Sequence, residues 1–166
     1  VTIRWIENVS MSDVHLGHHS DLGENCMLIR ISDPAYGFYP TKRTFKEVYE
    51  FEFLDAEDED KFDDDFKISD AQAQHLVQLL QRAMAKSMNV LVHCHAGICR
   101  SGAVTEVGTM MGFTATERFR QPNLRVKHKM MKALGWTYDS DEPKTSVGGW
   151  ISDGGVWLPD NVGEQQ

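Results

Sequence analysis

Three cysteines in 166 residues are too few and too oddly spaced for a disulfide framework. Cys26, Cys94 and Cys99 therefore read as free thiols of a protein kept in a reducing compartment, and a cytoplasmic location is expected. Long apolar runs are also missing. No stretch approaches the ~18 residues that span a bilayer, and the opening VTIRWIENVS lacks the layout of a secretory leader. Basic charge is scarce, with 17 Lys and Arg against 25 Asp and Glu and a net charge of −8. That deficit argues against nucleic acid or an anionic membrane as partner. An anionic ligand would have to be drawn in locally, by donors aimed at it. No internal repeat is visible. The one biased tract runs from Asp55 to Asp65, where eight acidic residues read as a solvated, mobile surface loop.

What is present suits one globular domain with a real core: 41% hydrophobic and 25% charged residues in a chain too short for two comfortable domains. Thr2–Val9, Cys26–Ile31, Val48–Phe53 and Val90–His93 are rich in β-branched, aromatic and aliphatic residues and read as strands. SDAQAQHLVQLLQRAMAKS reads as a helix capped by Ser69, with Ala73, Leu76, Val77, Leu80, Ala83 and Met84 at helical spacing. A second helix is expected after residue 100, burying Val104, Val107, Met110 and Met111. TATE, Thr114 to Glu117, has capping-box spacing and is expected to start a third. In a fourth, Asn123 is the cap, Val126, Met130 and Leu134 line one face, and Gly135 ends it. This order predicts an α/β or α+β domain over residues 1–136 with one central sheet. Residues 137–166 form a C-terminal extension in which GGWISDGGVWLP suggests a short hairpin.

The chemistry concentrates in HCHAGICRSG, residues 93–102. A zinc site could draw on His93, Cys94, His95 and Cys99. Adjacent side chains cannot all face one ion, however, and Arg100 would set a fixed positive charge beside it. A purely structural turn explains Gly97 and Gly102 but neither the cysteine at the strand end nor the arginine six positions on. An anion cradle explains all of them. A strand ends at His93, a helix begins near Arg100 or Ser101, and the intervening backbone must wrap so that its N–H groups can turn inward as a nest. The helix N-terminus adds partial positive charge at the same point. Ala96 and Gly97 allow close approach, and Arg100 offers a planar fork for two phosphate oxygens. Such a bowl favours Cys94 as thiolate, a ready nucleophile.

His-Cys, five residues, then Arg-Ser resembles the signature loop of the cysteine-dependent protein phosphatases. The VLVHC.AG..RS context is most similar to their compact dual-specificity-like branch, which includes short bacterial and viral members. The resemblance extends at pattern level over roughly Cys26 to Gly135. It implies the α/β protein-tyrosine-phosphatase-like fold, a single domain with a central, mostly parallel sheet flanked by helices and the phosphate loop between a strand and a helix. It also implies Cys94 as nucleophile, phosphate held by the loop residues His95, Ala96, Gly97, Ile98, Cys99 and Arg100, and a hydroxyl at Ser101 that eases departure of the thiolate. No metal or other cofactor is implied. The family's general acid follows a strand some tens of residues upstream. Asp55, directly after the alternating run Tyr49–Phe53, fits that place, with Asp58 and Asp60 as rivals. The Pro-Asn at residues 122–123 resembles the pair that introduces the last family helix.

The expected reaction is hydrolysis of phosphate monoesters on phosphoproteins through a cysteinyl-phosphate. Residues 95–99 carry no lysine or arginine, unlike the loops of phosphoinositide and RNA-triphosphate members, which favours phosphotyrosine among the substrates. A phosphate-binding module without turnover, or a phosphatase of non-protein esters, is the alternative. His93 is expected to be a buried, satisfied histidine, Cys99 a small apolar residue that could capture an oxidised Cys94, and His15, His18 and His19 surface residues.

Overall fold

A computed structural model of the chain describes residues 3–136. The extension expected at 137–166, with its hairpin, lies outside the described residues. Five strands, β1 (Trp5–Ser10), β2 (Cys26–Ser32), β3 (Glu47–Glu52), β4 (Asn89–Cys94) and β5 (Thr114–Ala115), form one sheet in the order β3-β2-β4-β1-β5. Every pairing is parallel. The helices are α1 (Met11–Leu16), α2 (Asp70–Ala85), α3 (Arg100–Met111) and α4 (Leu124–Ala133).

Parallel strands covered on both faces read as continuous apolar runs, and CMLIRIS of β2 is buried at every position. Alternation then sorts its side chains between two cores. Met27, Ile29 and Ile31 join Val90 and Val92 beneath α2, α3 and α4. Cys26 and Leu28 join Leu91, Val9 and Val14, covered by Leu22 and Phe45. Each fully buried Leu or Ile here is worth about 1.5–3 kcal/mol.

The helix of residues 69–87 forms as its pattern predicts. Ser69 Oγ accepts from Gln72 N at 3.1 Å while the Gln72 side chain accepts from Ser69 N at 2.9 Å, a complete capping box. Asn123 caps α4 through Val126 N at 3.0 Å, and Gly135 leaves it with φ +79°.

Some expectations fail. TATE does not start a helix: Thr114 N and Thr116 N donate to Arg4 O (2.8 Å) and Ile6 O (3.1 Å), so the exposed edge of β1 recruits the segment as β5. An open strand edge offers those amides fixed acceptors that a lone helical turn cannot match. On α3, Val104 and Val107 are buried but Met110 is 44% exposed and Met111 only half-buried, because the core ends before the last turn. The acidic run is exposed but tethered. Lys67, itself buried, donates to Asp58 O (3.0 Å) and Asp60 O (2.7 Å), and Asp64–Phe66 forms a single 3-10 turn. The short α1, capped by Ser10 and Asp13, has no counterpart in the pattern reading.

Candidate active site

In a parallel sheet the C-terminal strand ends crowd together, and here four of them meet. Cys94 closes β4 opposite Ser10 of β1, Asp33 follows β2, and Phe53 to Asp55 follow β3. His95 to Cys99 bend around Cys94 before α3 begins at Arg100.

The orientation of that bend can be read from its carbonyls. His95 O accepts from Met11 N (3.2 Å), Gly97 O from Asn8 Nδ2 (2.8 Å) and Ile98 O from Gln121 N (3.1 Å). Cys99 O accepts from Ala103 N and Asn123 N, both at 2.9 Å. All five partners lie outside the bend, in β1–α1, in α3 itself, or in the strap of residues 116–123. A trans peptide points its N–H opposite its C=O, and no peptide here is cis. The N–H groups of Ala96, Ile98, Cys99 and Arg100 therefore turn away from those partners, toward the inside of the bend. Gly97 N donates directly to Cys94 Sγ at 3.3 Å. The result is a nest of amides with the axis of α3 behind it. Gly97 has φ +77°, and a Cβ there would lie 2.3 Å from Val9 C and 2.4 Å from Ser10 N, so only glycine fits.

Cys94 is 2% exposed, and its Sγ sits 3.1 Å from Ser101 Oγ. Arg100, also buried, spends one corner of its guanidinium on structure: Nη1 donates to Asp33 Oδ1 and Phe53 O, both at 2.8 Å. Its Nε is buried with no hydrogen-bond partner. A fixed Nη1 and a free Nε leave the Nε–Nη2 edge as the fork available to an anion, an arrangement lysine could not provide.

Asp55 is exposed at the rim. Its Oδ1 accepts from Asn123 Nδ2 at 2.8 Å, and its carboxylate meets the Cys99 thiol. Burial first, then the charges of Asp55 and Cys94, push the Cys99 thiol upward, so Cys99 rests protonated. The rivals are engaged elsewhere. Asp58 pairs with Arg125 at 2.7 Å, and Asp60 Oδ2 accepts from Glu57 N at 2.7 Å. Asn123 joins the parts: its backbone holds the bend at Cys99, its amide holds Asp55 and Ala56 O, and its Oδ1 caps α4.

His93 is fully buried. Arg30 Nε donates to His93 Nε2 at 3.0 Å. Because arginine can only donate, Nε2 must accept, which puts the proton on Nδ1, where it faces Cys94 O at 3.3 Å. Burial, then the Arg30 charge, lowers the His93 pKa to about 4. The ring is a neutral strut between β2 and β4, with its Nε2 unavailable to a metal. Among the described residues no group of three or more His, Cys, Asp or Glu could hold an ion. No helix among them is long and apolar enough to cross a membrane.

Sequence reasoning missed Asp33 and Asn8, which set Arg100 and Gly97. A signal existed for Asp33, in an Asp-Pro turn at the C-terminal end of a buried strand. Asn8 is a polar side chain within a buried strand, which in a two-sided sheet must be satisfying something.

No protein-family model matches the chain, and no curated protein matches it. Solved structures do. The chain shares the fold of the human tyrosine phosphatase-like serine/threonine/tyrosine-interacting protein, at 17% identity and TM-score 0.53 over 77% of this chain and 89% of that one. Two others align more loosely. The OH1 tyrosine phosphatase of Orf virus, described as having triple substrate specificity, is 27% identical with TM-score 0.42 over 63% of this chain and 54% of its own. Human DUSP28 is 14% identical with TM-score 0.47 over 82% and 83%. The shared fold rests on the first.

Proposed function

Given a tyrosine phosphatase-like fold, we propose that this chain is a cysteine-dependent phosphatase, hydrolysing phosphate monoesters on phosphoproteins through a cysteinyl-phosphate. The observation that carries this reading is Cys94 Sγ held between the Gly97 amide and the Ser101 hydroxyl, in a bend that ends at an Arg100 whose buried Nε has no hydrogen-bond partner. Those donors suit a thiolate at rest and a phosphate dianion when occupied.

In the first step Cys94 Sγ attacks phosphorus as the ester oxygen leaves. Arg100 and the amides of residues 96–100 hold the equatorial oxygens, and Asp55 protonates the leaving oxygen. Water then attacks the cysteinyl-phosphate, with Asp55 taking its proton, and phosphate departs. Ser101 donates to the sulfur that is regaining its charge. Asp33 keeps Arg100 in position and Asn123 keeps Asp55 over the bowl. The absence of lysine and arginine from residues 95–99 supports a phosphoprotein over a multiply phosphorylated small molecule, with phosphotyrosine among the accepted residues.

Turnover of p-nitrophenyl phosphate in the presence of a chelator is the direct test. Wild-type protein should turn over, and Cys94→Ser should lower kcat by roughly 10³-fold or more while still binding tungstate. Residual activity within about tenfold of wild type would remove Cys94 as nucleophile. Tungstate binding without any wild-type hydrolysis would make the chain a phosphate-reading module instead.

A further inference from the structure

The segment after β2 touches the bowl at both of its ends. Asp33 opens it with the ion pair to Arg100 Nη1 at 2.8 Å. Three residues later the Tyr36 ring meets the His95 ring edge-on, with centroids 4.4 Å apart and planes at 75°. His95 directly follows Cys94, and its carbonyl is fixed by Met11 N. Between these anchors the chain makes a tight turn in which Tyr36 N donates to Asp33 O at 3.0 Å. Pro34 fixes the second position, and Ala35 stands at φ +66°, where glycine is the ordinary choice. The turn is held in that strained form from both sides: Glu52 Oε1 accepts from Ala35 N (3.3 Å) and Ser32 Oγ donates to Gly37 O (3.0 Å).

The turn serves to present rings. The Tyr36 hydroxyl meets that of Tyr39 at 3.1 Å, and Tyr39 packs edge-on against His15 at 5.6 Å. Yet Tyr36 remains 52% exposed and Tyr39 40% exposed. Two tyrosines held by ring contacts, a shared hydroxyl bond and a strained turn, but left open to water at the lip of an anion bowl, have no core to fill. A phosphorus seated over Cys94 directs its ester oxygen out of the bowl. An aryl ester would then set a rigid ring at the level of the lip, whereas a seryl ester sets a short flexible chain there.

Resting on the phosphatase reading of the bowl, we infer that Tyr36, backed by Tyr39 and His95, is a specificity-determining residue that selects aryl over alkyl phosphate esters by ring contact. Tyr36 takes no part in the chemistry. Offset or edge-on ring pairs within 4.5–7 Å supply the preference, and the Asp33–Arg100 pair keeps the ring wall in register with the phosphate fork.

The test uses binding, so that it does not depend on turnover. In the Cys94→Ser chain, affinities are compared for a phosphotyrosine peptide, the phosphoserine peptide of the same sequence, and inorganic phosphate. The phosphotyrosine peptide should bind about tenfold tighter than its phosphoserine counterpart. Adding Tyr36→Ala should erase most of that ratio and leave inorganic phosphate within about twofold, while adding Tyr36→Phe, which keeps the ring, should preserve the ratio. A ratio that survives Tyr36→Ala, or a Tyr36→Ala change that weakens all three ligands alike, overturns the inference. Failure of the phosphatase reading shows separately, as absence of hydrolysis by the unsubstituted chain with this binding preference intact.

Discussion

At Asp55 the local contacts distinguish one aspartate from its neighbours. Asn123 Nδ2 holds one of its oxygens and the Cys99 thiol meets the carboxylate, so the group is aimed at the bend. Asp58 and Asp60 are spent on Arg125 and on the backbone of their own turn. A general acid must be protonated, so activity on an ester with a poor leaving group should fall as pH rises through its ionisation. Replacing Asp55 by Asn should lower kcat about 10²-fold or more and abolish that basic limb. The same change at Asp58 or Asp60 should leave the limb in place. A pH–rate profile on a phosphotyrosine peptide reads all three, and a limb that survives Asp55→Asn assigns the acid elsewhere.

The element that matters most is the bend between β4 and α3, and its two glycines make a controlled pair. At Gly97 a methyl group would be driven into the backbone of Val9 and Ser10 at φ +77°. Neither β1 nor the bend can yield without disturbing the β1–β4 pairing. Gly97→Ala should therefore cost about 2–4 kcal/mol and weaken tungstate binding at least tenfold. At Gly102, inside α3, the nearest obstacle is Arg120 Cβ at 3.0 Å, a contact relieved by a shift of a few tenths of an ångström rather than a collision with backbone. There the helix gains about 1 kcal/mol of propensity from alanine, and the net change should be near zero. Urea midpoints and tungstate titrations of the two variants test this. Equal tolerance at both positions would mean that the bend is not pressed against β1.

On the scale of the whole molecule, buried His93 ties stability to pH. Its pKa is about 4 in the fold, against an ordinary value near 6.5 when unfolded. Between those values the unfolded chain binds the extra proton, so stability rises with pH across the window and is lost as pH falls from about 6.5 toward 4. Half-buried His128, lowered to about 4 by burial and then by Lys127, acts with the same sign. From pH 7 to pH 5 His93 alone should remove about 2 kcal/mol of unfolding free energy. Few carboxylates titrate in that interval. Urea denaturation at the two pH values measures the loss, and His93→Asn, which keeps a donor for Cys94 O, should flatten it. A wild-type protein equally stable at both would contradict a neutral, enclosed ring.

What the sequence determined by itself was set by short-range physics. Buried parallel strands announce themselves as apolar runs, helices by their caps and period, and the bend by a cysteine, glycines and an arginine that local geometry must bring together. The α/β architecture, the Ser69 and Asn123 caps and the grouping of Cys94, Gly97, Arg100 and Ser101 were legible for that reason. Tertiary structure alone decided the rest, because it depends on which strand ends meet. Residues 33, 53, 55 and 123 are distant in the chain, and only the order β3-β2-β4-β1-β5 brings them to one rim. The same long-range pairing turned TATE from a helix start into an edge strand, and made an Asp-Pro turn after β2 the brace of Arg100 and the mount for Tyr36.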